Sequence, residues 1–184
     1  TETACQVFLG VRMQCAKCHH HPFENIAQAD YYSMTAFFSR VAKKNSTEFG
    51  LQGSDTTIYL TMAGEASHPK TGKILPPKPI GGPVTEDPID RRNGLVTWLK
   101  DKNNPALARN FVNRYWGYYF GRGLIHPIDD IRITNPASNP ELLDALAHCY
   151  SVLSLLLYDA WAKLDVNAPK PPLTAGILPC MIRS

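Results

Sequence analysis

A short cluster of cysteine and histidine side chains is the chemically strongest feature of this sequence. Cys15 and Cys18 are separated by two residues, and His19 directly follows the second cysteine. Two thiols at this spacing can form thioether bonds with the two vinyl groups of one porphyrin, and the adjacent imidazole can bind the iron. The pattern therefore predicts covalent attachment of haem c through Cys15 and Cys18, with His19 as an axial ligand.

The same segment leaves two other interpretations open. Cys15, Cys18, His19 and His21 together offer two sulfur and two nitrogen ligands, a set that suits zinc. Because these ligands are crowded into one short loop, a tetrahedral site would be strained, which favours haem over zinc. The remaining alternative is that the two cysteines are inert or form a disulfide.

The sixth iron position would decide between electron transfer and the binding of small ligands. Met34 is one candidate, although it lies on the apolar side of a predicted helix, where methionine commonly fills the core. We take His19, His21 and Met34 as the candidate metal ligands. Further candidates for the distal position are Met62, His68 and His126.

A second polar group lies far from the first along the chain. His126, Asp129 and Asp130 could form an acid-base or divalent-ion site, which would suit an extracellular polymer hydrolase. The sequence favours an ordered loop whose carboxylates pair with nearby arginines. Those arginines are Arg114, Arg122 and Arg132. No nucleophile motif or phosphate-binding loop accompanies the group, so nothing positive indicates a catalytic site.

Composition limits the functional classes. The chain has 184 residues, of which 44% are hydrophobic, so it is long enough for one core or two small ones. A net charge of +3 with scattered basic residues gives no indication of a nucleic-acid partner. No apolar stretch is long enough to cross a bilayer. The five cysteines are an odd number with one close pair, which points to a cofactor rather than a disulfide framework.

The elements that would position these residues are mostly helical. Apolar spacing predicts one amphipathic helix over residues 3–18, with the Cys-x-x-Cys-His motif at its C-terminal end, and a second helix capped by Asp30. Two further helices precede Gly121, and Asn139 or Ser138 would cap another. We therefore predict a mainly α fold.

Between the helical regions the sequence predicts a small β-hairpin and a proline-rich connector. Residues 56–62 read as a strand, and the second strand would lie near residues 73–75 with a turn around residues 68–72. We therefore divide the chain into four segments. Residues 1–44 are the end of a domain that carries the Cys-x-x-Cys-His motif, 45–85 are the hairpin and connector, 86–148 are a partial second helical domain, and 149–184 are an atypical tail.

Several segments resemble a known pair of domains. They are residues 7–23, which contain the Cys-x-x-Cys-His motif, and the later Asn-Arg-Tyr-Trp (113–116), Phe-Gly-Arg-Gly-Leu (120–124) and Asn-Pro-Glu-Leu-Leu-Asp (139–144) sequences. Over about residues 3–147 the chain is similar to planctomycete cytochrome c-associated surface proteins with paired PSCyt and PSD domains of unknown function. The chain would span the end of the first domain and the start of the second.

The resemblance implies an exported protein, periplasmic or at the cell surface, whose parent carries further domains and often a cytochrome c domain. The likeness stops after Ala147, and an altered reading frame near His148 is one hypothesis for this. The function we expect is electron transfer by covalently bound haem, with an unidentified redox partner protein. The alternatives are a metal-stabilised structural or interaction domain without haem, and the hydrolase described above.

Overall fold

The computed structural model describes residues 1–45, 56–101 and 103–163. Within these ranges lie five α-helices and four short strands. The helices are α1 (Glu2–Ala4), α2 (Gln28–Ala36), α3 (Arg92–Leu99), α4 (Ala106–Phe120) and α5 (Pro140–Lys163). The strands are β1 (Val41–Asn45), β2 (Thr56–Leu60), β3 (Ala66–Ser67) and β4 (Ile74–Leu75). The described chain therefore contains both helices and two small antiparallel strand pairs. None of the described helices is long and apolar enough to cross a membrane.

The chain divides into two compact units. The first comprises residues 1–3 and 13–101, and the second comprises residues 4–12 and 102–184. The domain boundaries that we drew at residues 44, 85 and 148 follow changes in sequence character rather than compactness, and they stay a prediction.

The long N-terminal helix that periodicity predicted is wrong. The segment is broken into α1, a π-helical turn over Cys5–Leu9 and a 3-10 turn over Gln14–Lys17. Gly10 ends the π turn with a left-handed φ of 69°, and its carbonyl oxygen accepts a hydrogen bond from the Ile131 nitrogen at 2.8 Å. A regular helix has no place for this long-range bond, so tertiary pairing overrides the local preference.

Helix α2 begins at Gln28, and its N-cap is Ala27, three residues before the position that we assigned to the cap. Asp30 lies in the first turn, where its carboxylate accepts a hydrogen bond from the Ala27 nitrogen at 2.9 Å. A carboxylate in this position accepts a hydrogen bond from a backbone nitrogen that has no partner within the helix, and its negative charge interacts favourably with the helix dipole. The helix buries Tyr31, Met34 and the following Phe37 in the core of the first unit.

The strand at Thr56–Leu60 is confirmed, but its predicted partner is wrong. It pairs antiparallel with β1, which places Val41 opposite Leu60. The predicted strand near Leu75 instead pairs with β3, with Ala66 opposite Leu75. The turn between β3 and β4 lies where the sequence placed it, because the Gly72 nitrogen donates to the His68 carbonyl at 2.8 Å.

The proline-rich connector packs within the first unit. Pro77 and Pro79 are fully buried, and the Lys78 nitrogen donates a hydrogen bond to the Ser33 carbonyl of α2. Arg91, which is 5% exposed, bonds the Glu65 carboxylate at 2.9 Å. These contacts join the connector to α2, and the start of α3 to the loop before β3.

The second unit is built around α4 and α5. Its core contains Val112, Leu124, Ile125 and Leu143, with Trp116 and other partly buried side chains against them. Gly121 ends α4 in the left-handed region, as predicted. At the start of α5 the Asn139 side chain accepts a hydrogen bond from the Leu142 nitrogen at 3.0 Å, which confirms Asn139 as the cap.

Candidate functional site

The Cys-x-x-Cys-His motif lies on one helical turn of the first unit. The backbone nitrogens of Cys18 and His19 both donate to the Cys15 carbonyl, each at 3.3 Å. Residues three and four positions apart lie on the same side of such a turn. Cys15 and Cys18 are free thiols with exposed side chains, and His19 is exposed as well.

Helix α2 holds this turn in place through one backbone carbonyl. The Lys17 carbonyl accepts hydrogen bonds from the Gln28 side chain at 2.8 Å and from the Tyr32 hydroxyl at 3.3 Å. The buried Ala16 and Met13 fix the inner side of the same turn. No sequence signal points to Gln28 and Tyr32, because their bonds go to a backbone carbonyl that is distant along the chain.

The hydrogen bonds of His19 determine its tautomer. Its Nδ1 lies 2.6 Å from the His20 carbonyl oxygen. A carbonyl oxygen can only accept, so Nδ1 carries the proton. In the neutral imidazole the Nε2 lone pair is then available for a metal, and the carbonyl bond orients the ring.

Three other histidines have the opposite arrangement. The Nδ1 atoms of His20, His21 and His68 accept hydrogen bonds from backbone nitrogens, of Gln28 at 3.2 Å and of Phe23 and Lys70 at 3.3 Å. In their neutral forms these imidazoles therefore carry the proton on Nε2. Of the histidines in the motif loop, His19 is thus the one whose Nε2 is available as a ligand without a change of tautomer.

The other candidate metal ligands are differently placed. Met34 is 1% exposed in the core of the first unit, whereas Met62 is 94% exposed. His126 belongs to the second unit. Throughout the described ranges, no group of three or more histidine, cysteine, aspartate and glutamate side chains is arranged to hold a metal ion.

The residues of the motif fit haem c. Attachment requires two unoxidised thiols that the porphyrin can reach, and an imidazole nitrogen with a free lone pair beside the second thiol. Cys15, Cys18 and His19 meet these requirements on a single turn. The zinc alternative has less support, because His21 would have to give up its hydrogen bond or change its tautomer to join the set.

Both carboxylates of the second polar group are engaged in ion pairs. Arg12 bonds Asp129 at 2.6 Å, and the Gln6 side chain also donates to Asp129. The hydrogen bond from Arg12, helped by Gln6, lowers the pKa of Asp129, against the opposing effect of burial. Arg132 bonds Asp130 at 3.0 Å, as one of the predicted pairs. Both carboxylates therefore serve as partners of basic or amide groups of the same unit.

Two family models match the chain. The PSCyt2 model, described as a protein of unknown function (DUF1549), matches residues 1–43. The PSD1 model, described as a protein of unknown function (DUF1553), matches residues 91–151. Segments of the chain thus match the PSCyt2 and PSD1 models, in that order along the sequence. No curated protein and no solved structure matches it.

These two matches confirm the predicted resemblance. They also assign the two polar groups of the sequence to different family segments. The Cys-x-x-Cys-His turn lies in the PSCyt2 segment, and Asp129 and Asp130 lie in the PSD1 segment. Neither family description states a function, so the function must be argued from the residues themselves.

Proposed function

We propose that this chain attaches haem c at Cys15 and Cys18 and transfers electrons with His19 as the proximal iron ligand. The proposal rests on one observation. The turn presents two exposed free thiols, and the imidazole that follows the second thiol has a free Nε2 lone pair. The fit rests on these three side chains and on the bonds that hold them.

Each residue has a distinct role in this proposal. Cys15 and Cys18 would hold the haem through two thioethers, each formed by addition of S–H across one vinyl group, so attachment would require no external oxidant. The His20 carbonyl keeps the His19 proton on Nδ1 and increases the basicity of the imidazole as a ligand. Gln28 and Tyr32 fix the turn through the Lys17 carbonyl. When bound, haem supplies a reversible one-electron couple whose potential depends on its second ligand and burial.

The exposure of the motif is consistent with this role. Cys15, Cys18 and His19 all lie at the surface of the first unit, where an attachment enzyme and a redox partner protein can reach them. Because haem c is attached outside the cytoplasm, the proposal includes an exported protein, periplasmic or at the cell surface.

The test is expression of the full chain in a host that attaches haem in the periplasm, followed by a pyridine haemochrome spectrum of the denatured protein. We expect a c-type band in the wild-type chain and none in a Cys15→Ala, Cys18→Ala variant. His21→Ala is the matched control, because it changes a neighbouring histidine whose lone pair is already engaged, and it should keep the band.

Absence of the band in correctly exported protein would overturn the proposal. Elemental analysis of the same sample would then test the runner-up function, a structural or interaction domain stabilised by a metal. One equivalent of zinc that is lost in the double cysteine variant would support that function. Zinc that persists in the variant would place the metal elsewhere and exclude this segment as its site.

A further inference from the structure

A cavity of about 500 Å³ lies in the second unit, and the proposed haem site does not use it. Its walls include Phe111, Arg114, Tyr115, Tyr118, His126 and Ile128. Three glycines complete the lining, which leaves the space between the side chains open. The volume lies within the range of about 300–1,000 Å³ that is typical of small-molecule sites.

One face of α4 supplies the aromatic wall. Phe111, Tyr115 and Tyr118 follow one another at spacings of four and three residues, which places them on one side of the helix. Val112, by contrast, belongs to the hydrophobic core. The ring of Phe111 stacks on that of Tyr115, with centroids 6.4 Å apart and an angle of 27° between their planes. Phe111 also stacks on Tyr150, which packs against the core, so the wall presents flat apolar faces that are continuous with the core.

The loop after α4 forms the opposing wall and depends on glycine. A Cβ atom on Gly123 would lie 2.5 Å from the Ile125 carbonyl oxygen, and one on Gly117 would lie 3.0 Å from the Ile128 side chain. Larger residues at these positions would force the loop away from the helix. The close approach of the loop thus defines the cavity.

Arg114 lines the cavity, and no carboxylate among the described residues pairs with its positive charge. Six of the other described arginines form ion pairs, namely Arg12, Arg40, Arg91, Arg92, Arg109 and Arg132. Arg114 has no carboxylate partner among the residues described, and it donates to the Gln6 carbonyl instead. A half-buried cation with so few acceptors favours an anionic ligand.

We propose that this cavity binds a small aromatic carboxylate. The rings of Phe111, Tyr115 and Tyr118 would contact the flat apolar body, and the Arg114 guanidinium would attract the carboxylate. The exposed His126 imidazole adds a polar group on the loop side. The proposal is independent of haem, since it concerns residues of the second unit alone.

Calorimetric titration of the full chain with 2-naphthoate tests the proposal without any mutation. We expect saturable binding at one site, with the neutral isostere 2-naphthamide bound about tenfold more weakly because it lacks the charge that Arg114 attracts. No saturable binding of naphthoate, or equal affinity for acid and amide, would overturn the proposal.

Two adjacent tyrosines provide a matched pair of variants. Tyr118 lines the cavity and Tyr119 does not, yet both are exposed, at 82% and 66%, and their rings contact each other edge to face. Tyr118→Ala and Tyr119→Ala therefore lose the same ring contact. We expect Tyr118→Ala to weaken naphthoate binding about fivefold and Tyr119→Ala to leave it unchanged. Equal weakening by both variants would contradict the assigned wall.

Arg114→Gln should abolish the preference for the acid over the amide, and Arg114→Lys should keep part of it. Since Arg114 also bonds the Gln6 carbonyl, circular dichroism must first show that each variant is folded. A folded Arg114→Gln variant that still prefers the acid would contradict the role of this residue. If neither variant folds, the acid and amide comparison on the wild-type chain decides the proposal.

Discussion

The Nδ1 atom of His19 lies 2.6 Å from the carbonyl oxygen of His20, whereas the Nδ1 atom of His20 accepts a backbone hydrogen bond. Two adjacent imidazoles are thus held in opposite tautomers by backbone groups. The side chains are chemically identical, but their free nitrogens differ, and only the arrangement in His19 presents an Nε2 lone pair in the neutral form. This difference leads to the first prediction.

In the haem-loaded chain, His19→Gly should lose the absorption spectrum of imidazole-bound iron, and added free imidazole should restore it. The expected cause is an open proximal position that a soluble imidazole can fill. His20→Gly is the control and should leave the spectrum unchanged. An unchanged spectrum in His19→Gly, or a change of the same kind in His20→Gly, would show that His19 is not the proximal ligand.

Gly10→Ala should destabilise the chain by about 3 kcal/mol, combining the strain of a left-handed backbone with overpacking. A Cβ atom there would lie 2.6 Å from Oδ1 of Asn110 and 2.7 Å from the side chain of Ile131. Gly72 has a similar φ of 66° but nothing within 4 Å, so Gly72→Ala should cost only about 1 kcal/mol. Urea unfolding of both variants measures the difference, and equal losses would show that the packing at Gly10 is relaxed.

Asn113→Ala should reduce the free energy of unfolding by about 2–4 kcal/mol, because it leaves buried backbone groups unpaired. The fully buried Asn113 side chain accepts from the Ile125 nitrogen at 2.7 Å and donates to the Ile125 carbonyl at 2.9 Å. The exposed Asn93 has one long bond to Asp87, at 3.4 Å, so Asn93→Ala should change stability by less than about 0.5 kcal/mol. Thermal or urea unfolding distinguishes the two, and similar losses would contradict the assigned role.

Asp129→Asn should destabilise the chain by about 1 kcal/mol near neutral pH, a modest value because Arg12 is half exposed. The bond from Arg12 holds the pKa of Asp129 below its ordinary value of 3.8, so this stabilisation is present above that pH. It is lost as the pH falls through the lowered pKa of the folded state. Urea midpoints of wild type and variant should therefore converge in acid, and a constant gap at every pH would refute the ion pair as the cause.

Local sequence signals predicted several features of the fold correctly. The Asn139 cap, the helix end at Gly121 and the turn before β4 each depend on residues within a few positions of one another. Their chemistry is short-ranged, since a side-chain oxygen meets a nearby nitrogen or a glycine adopts a left-handed φ. The resemblance to the paired domains also came from contiguous segments and is confirmed by the family matches.

Features that join distant residues could not be derived in this way. Apolar periodicity predicted one helix across Gly10, but the bond between Gly10 and Ile131 joins residues far apart in the chain. The strand at Thr56–Leu60 was predicted to pair with the segment near residues 73–75, but its pairing with β1 was decided in three dimensions. Alternation alone fixes which face a strand buries, not which strand lies beside it.

The candidate site shows the same division. The sequence by itself determined which side chains lie together at Cys15, Cys18 and His19, because their spacing is a covalent property of the chain. Only the tertiary structure decided which nitrogen of each histidine is free, which carbonyl anchors the turn, and that Asp129 pairs with Arg12. Those outcomes depend on backbone and side-chain groups brought together by folding, and no spacing along the sequence encodes them.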